Sequence, residues 1–315
     1  MKRASVVVLF ACLMAAFLVT AQTPEGNKIV RLNSALDAIV SSDAKVEKLP
    51  DSPGPDTREG PTWIRKGGYL LYSDMGAKVI NKWNPRDNKV SVFQERTGSD
   101  GITLDRQGRI VYCAHGDHQI VRLEKDGGRT TLAREYQGRP LESPNDLVYK
   151  SDGSLYFTDT GSHNPGVYLL KGTELQMLIN DMPKPNGLAF SPDEHYLYIN
   201  DSARRTITRF DMQPDDTIHN GQLVVDMNAG HEPCKFPCPD GYPDGMKVDK
   251  KGNIYSTGPG GIWIMSPDGT HLGTIQITPD RPSNLGFGDS DGKTIYITCR
   301  PGLYKVRFKI PGIRP

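Results

Sequence analysis

Glu59, Asp100, Asn145, Asn186, Asp244 and Ser283 each open the same kind of short phrase, in which an acidic, amide or hydroxyl residue meets a small or turn-forming one and apolar residues follow. In the 315-residue chain they stand 41, 45, 41, 58 and 39 residues apart. If the fold returns these positions to one place, Glu59, Asn145, Asn186 and Asp244 form an all-oxygen set of two carboxylates and two amides. Oxygen-only donors suit hard cations, and Ca²⁺ accepts carboxylates, amide carbonyls and waters at about 2.3–2.6 Å. Asn and Asp also favour turns before Gly, so a purely structural role for the same residues stays open. Asp100 and Ser283 fit a lining of the ring or channel rather than the ligand set.

The elements that would carry these residues are short strands. Pro144-Asn145-Asp146-Leu147 leads to Leu155-Tyr156-Phe157-Thr158-Asp159, Pro185-Asn186-Gly187-Leu188 to Leu197-Tyr198-Ile199, and Pro243-Asp244-Gly245-Met246 to Asn253-Ile254-Tyr255. A period near 40 residues is that of four-stranded propeller blades, whose inner strands begin beside a central channel. Asp126-Gly127, Asp152-Gly153, Asp268-Gly269 and Asp291-Gly292 are hairpin turn signals, and no long amphipathic helix interrupts them. The expected fold is therefore all-β, a six-bladed β-propeller over residues 59–315 with a metal site at its centre. Residues 22–58 read as a leader with a short helix near Ser34 to Val40. A strand near Lys45 to Leu49 is expected to complete the outer edge of the last blade, since an open ring would leave hydrophobic sheet faces unpaired.

Lys2 and Arg3 precede an apolar run from Val6 to Val19, and Val19-Thr20-Ala21 offers small residues for cleavage. Residues 1–21 thus read as a signal peptide, which places the protein in a secreted or periplasmic setting with no membrane span after cleavage. With 38 basic and 37 acidic residues the net charge is +1, so no electrostatic footprint for nucleic acid is present. Cys234 and Cys238 flank Lys-Phe-Pro and could close a small disulfide loop in an oxidising compartment; half of a zinc site is the competing reading.

Several stretches resemble one family in the same order: Glu59-Gly60-Pro61-Thr62-Trp63, Ser143-Pro144-Asn145-Asp146-Leu147, Tyr156-Phe157-Thr158-Asp159, Pro185-Asn186-Gly187-Leu188-Ala189-Phe190-Ser191-Pro192-Asp193 and Pro243-Asp244-Gly245-Met246. The chain resembles the senescence marker protein, gluconolactonase and luciferin-regenerating enzyme family from Leu36 to Ile310, in particular its secreted bacterial gluconolactonase-like branch. That resemblance implies a six-bladed propeller with one divalent cation, calcium or zinc, bound by Glu59, Asn145, Asn186 and Asp244. It also implies a lactonase in which Asp244 acts as general base. His115, in Cys113-Ala114-His115-Gly116, matches a family position and is a candidate substrate contact. Asp159 and Asp201, at the ends of Tyr-containing strands, are further candidates for the channel mouth, with turn-forming roles as the alternative. Arg204 and Arg205 are expected to be solvated.

The expected partner is a small lactone or ester. No G-x-S-x-G elbow and no HExxH occur, which leaves hydrolysis by activated water as the simplest route. A lactonase or esterase acting on non-sugar substrates and a non-catalytic ligand-binding propeller are the alternatives. The chain departs from the bacterial branch after Asp159, where Thr160-Gly161-Ser162-His163-Asn164-Pro165 makes a short loop, and at Ala114, where the family often has Glu.

Overall fold

The computed structural model describes residues 26–54, 56–230 and 236–313. The expected signal peptide and Cys234 lie outside them. Six sheets, each built on four consecutive antiparallel strands or on three completed from the N-terminus, form the ring of a six-bladed β-propeller. The inner strands of blades one to six are Arg58–Ile64, Ser99–Leu104, Pro144–Tyr149, Pro185–Phe190, Met246–Val248 and Arg281–Gly288, and they neighbour one another in cyclic order. Only two short 3₁₀ turns occur among the described residues, Ser34–Ala38 and His115–Asp117.

Blade three shows how local sequence builds a blade. Its strands run outward as Pro144–Tyr149, Leu155–Asp159, Gly166–Lys171 and Glu174–Ile179, and Asp152-Gly153 makes the first turn with Gly153 at φ +98°. The second strand is buried on both faces, so its apolar residues divide between two neighbours. Phe157 stacks on Tyr168 within a core that includes Val111 of blade two, whereas Tyr156 packs edge-on against Phe190 of blade four. Every interior blade is thus glued on two sides, which is how a ring of small sheets buries enough apolar surface.

The ring does not begin at residue 59. Glu47–Leu49 pairs antiparallel with Gly302–Arg307 and is the outer strand of blade six. Lys28–Arg31 pairs with His271–Gln276, so blade five has five strands, an addition that the repeat does not foretell. The seam between blades one and six is filled by Trp63, stacked on Tyr296 at a centroid separation of 5.3 Å, a contact worth about 0.5–1.5 kcal/mol beyond area burial.

Between these strands and blade one, the chain wraps the fully buried Arg58. Its guanidinium donates to Asp51 Oδ2 at 3.0 Å, Asp56 O at 2.7 Å and Ser52 O at 2.8 Å, and Asp74 lies 3.3 Å away. Deleting residues 26–54 removes two strands and two of these four partners, Asp51 and Ser52. Removing one partner of a buried ion pair costs about 3–5 kcal/mol. The truncated protein is therefore expected to melt about 10 °C or more lower, or without a cooperative transition, in thermal unfolding followed by circular dichroism.

Candidate functional site

In five blades the strand register slips at the repeated phrase: between Glu59 and Thr62, Ser99 and Ile102, Pro144 and Leu147, Pro185 and Leu188, and Pro282 and Asn284. A bulge of this kind inserts a residue and re-aims side chains, and here it does so where the inner strands meet the channel. The following glycines permit close approach. A Cβ on Gly101 would lie 2.6 Å from Asn145 O, and one on Gly187 would lie 2.3 Å from Asp244 O. Gly187 N donates to Asp244 O and Gly245 N to Ser283 O, while Ser283 Oγ donates to Arg58 O and links blade six to blade one. Ser283 therefore holds the ring.

This construction gathers charge. Glu59, Asp100, Asn186 and Asp244 are at most 5% exposed, and Asn145 is half-buried. Burial and the nearby Asp244 push the Glu59 carboxyl up to about 8, against the pull of Arg300 and a 3.0 Å hydrogen bond from Asn284 Nδ2. Burial, Glu59 and Asp244 hold Asp100 well above the usual carboxylate range, although Asn145 Nδ2 donates to it at 3.0 Å. Burial also raises Asp244, opposed by Arg300 and by the Asn186 amide. Asp146, in the place where four other blades have glycine and blade six has Asn284, adds a fourth buried carboxylate whose Oδ2 has no hydrogen bond and lies 3.6 Å from Lys247 Nζ.

The donors suit a cation. Asn186 Nδ2 donates to Ser202 Oγ at 3.1 Å, which leaves its buried Oδ1 without a hydrogen-bond partner. The charge of Asp244 adds to the cost of ionising the buried Glu59, a cost that a bound cation reverses. The set is mixed: among the described residues, no three His, Cys, Asp or Glu side chains form a metal-sized cluster, so the amides of Asn145 and Asn186 are needed.

Sequence reasoning missed Arg300. Its Nη2 donates to Asp244 Oδ2 at 2.9 Å and its Nη1 to Tyr242 Oη at 2.8 Å. A signal was available. Asp159 and Cys299 pair with the residue before the repeated anchor in their blades, as does Ala114, so His115 and Arg300 stand at the same repeat position, one further on. His115 lies beside the anchors, with Nδ1 3.5 Å from Asp100 Oδ2 and 3.3 Å from Pro144 O.

Three expectations are corrected. Asp159 does not face the mouth: it is buried and accepts from the backbone N–H groups of Glu142, Ser143 and Gly161, fixing the loop before Asn145. Asp201 is likewise buried and accepts from Ala203 N and Arg204 N, which makes it a turn former. Arg205 is not solvated. It is 2% exposed and donates to Asp240 and to Gly241 O, which anchors the segment carrying Tyr242. Cys238 is disulfide-bonded, while Cys113 and Cys299 are buried free thiols.

A cavity of about 530 Å³ occupies the other end of the channel, past the anchors, between residues such as Thr62, Ile102, Leu147, Leu188 and Phe287. Its lining is largely apolar and holds none of the clustered carboxylates; Lys247 is its link to them. The clustered carboxylates belong to the opposite, anchor end.

A model of one family, described as the SMP-30/Gluconolactonase/LRE-like region, matches residues 57–300. A gluconolactonase of Zymomonas mobilis is 30% identical, with 98% of this chain and 96% of that protein covered. A 6-deoxy-6-sulfogluconolactonase of Pseudomonas putida is 28% identical over 76% of this chain and 82% of its own. The solved structure of a gluconolactonase from Xanthomonas campestris superimposes with a TM-score of 0.77 at 31% identity, covering 89% of this chain and 94% of that one.

A carboxyl whose pKa is higher folded than unfolded keeps its proton better in the native state. Its contribution to stability is therefore lost as pH rises from the unfolded value of 4.5 toward about 8 for Glu59, and Asp100 and Asp244 act in the same direction. The melting temperature of chelated protein is expected to fall across this window. Glu59→Gln should flatten the slope by up to about 1.4 kcal/mol per pH unit, as read by denaturant unfolding at stepped pH.

Proposed function

The chain belongs to the SMP-30/gluconolactonase/LRE-like family, and from that membership we propose that it is a lactonase opening a sugar lactone to its aldonic acid, with a divalent cation held by Glu59, Asn145, Asn186 and Asp244. The observation that carries this reading is the buried group of mutually repelling carboxylates beside the uncommitted oxygen of Asn186. Oxygen donors alone favour Ca²⁺, with Zn²⁺ or another divalent ion as the competing occupant. Bound there, the cation supplies Lewis-acid polarisation of the lactone carbonyl.

The remaining chemistry falls to side chains. Asp244 takes a proton from the water that adds to the carbonyl carbon and passes it to the ring oxygen as the C–O bond breaks. Arg300, on Asp244 Oδ2, fixes the carboxylate and opposes the upward push that burial gives its pKa. His115 and Asp100 stand on the far side of Asn145, where His115 Nδ1 donates to Pro144 O and its Nε2 can accept from a substrate hydroxyl. The apolar run at residues 6–19 and the bonded Cys238 support an exported protein in an oxidising compartment. Among the described residues no helix is long and apolar enough to cross a membrane.

Chelation is expected to abolish hydrolysis across a panel of lactones, and re-addition of Ca²⁺, Zn²⁺, Mg²⁺ or Mn²⁺ to restore it selectively. Rates unaffected by chelation on every substrate would sink the proposal. Asp244→Asn should lower kcat by about 10²–10⁴-fold, with bound metal measured in the same preparation to separate proton transfer from ion loss.

A further inference from the structure

Beside Asp244 the mouth has a wall that the lactonase reading leaves without a task. Phe236 and Tyr242 pack against each other with centroids 4.8 Å apart. Each ring carries a cation: Lys184 Nζ lies 5.2 Å from the Phe236 centroid, and the Arg300 guanidinium lies 5.7 Å from that of Tyr242. Arg205 pins the segment just before Tyr242, so the wall is built rather than draped.

Both cations retain donors. Arg300 has five N–H groups, of which Asp244 and Tyr242 take two among the described residues, and its side chain is 40% exposed. Lys184 donates to Thr160 O at 3.3 Å and is half-buried. Charge points the same way. Glu59, Asp100, Asp146 and Asp244 face Arg300 and Lys184 at the mouth, with Lys247 on the far side of the tier, so a divalent ion cancels the excess negative charge there. With the carboxylates neutralised, a half-buried, aromatic-walled mouth that presents two cations attracts an anion, and the planar guanidinium matches a carboxylate.

We propose that Arg300, Lys184 and the Phe236–Tyr242 wall form a subsite for a carboxylate of the substrate, and hence that the preferred lactones carry an acidic group besides the ring ester. The proposal rests on the lactonase reading for its catalytic consequence, whereas binding of the acidic group can be measured without turnover.

Two comparisons test it on cation-loaded full chain. Kinetically, glucaro-1,4-lactone is expected to exceed the neutral glucono-1,4-lactone in kcat/KM by about 10-fold at low salt. The ratio should shrink near 1 M salt, where the Debye length falls to about 3 Å. Lys184→Met should lower that ratio several-fold, mainly through KM. By calorimetry, the uncleavable methyl glucuronide should bind more tightly than methyl glucoside, and less so to Lys184→Met. Equal binding of the two glycosides, or a ratio near one that ignores salt and Lys184→Met, overturns the subsite while leaving the lactonase standing. If neither lactone is hydrolysed the lactonase reading fails, and the calorimetric comparison still decides the subsite.

Discussion

Four carboxylates held out of water around one axis are the constraint to which the rest of this molecule answers. Glu59, Asp100, Asp146 and Asp244 come from four different blades, and each is at most 5% exposed. Burial disfavours the charged forms of Glu59, Asp100 and Asp244, and neighbours of like sign disfavour those of Glu59 and Asp100 further. A closed ring resists this by geometry: the anchors cannot move apart without breaking bonds between blades, such as Gly187 N to Asp244 O and Gly245 N to Ser283 O. The seam is secured separately by Ser283 on Arg58 O and by the stacked Trp63 and Tyr296.

The same constraint gives the site its chemistry. Carboxylates that repel one another when charged gain most from a cation, and the Asn186 oxygen has no competing partner. Arg300 occupies one oxygen of Asp244 from the mouth, and Lys247 stands 3.6 Å from Asp146 on the other side, so the anionic tier lies between cations of opposite ends. The largely apolar cavity beyond Lys247 is kept apart from the polar mouth by that tier. One channel thus has two chemically different ends, and the proposed lactonase chemistry falls at the end where the inner strands begin.

Support for the mouth comes from residues that look functional in sequence and are architectural in space. Asp159 binds three backbone N–H groups and shapes the loop leading into Asn145. Arg205 places two bonds on the segment 240–241 and so orients Tyr242. Neither group touches the carboxylate tier by a hydrogen bond, yet each fixes a neighbour of a residue that lines it. Such positions explain why a chain with short loops can hold a defined mouth.

The repeat alone determined that six oxygen-bearing positions return to one ring, because a period near 40 residues and hairpin turns such as Asp152-Gly153 are local, one-dimensional properties. It also made legible the outer strand near Leu49, since the final repeat is one strand short. It did not show Lys28–Arg31 joining blade five, whose sheet was already complete, nor the burial of Arg205. Nor did it show which way side chains point. Asp159 and Arg300 end corresponding strands of blades three and six, but one turns back into its own loop while the other reaches Asp244 across the boundary from blade six to blade five. Bulges and contacts between distant segments set those directions, and only the tertiary structure brings such segments together.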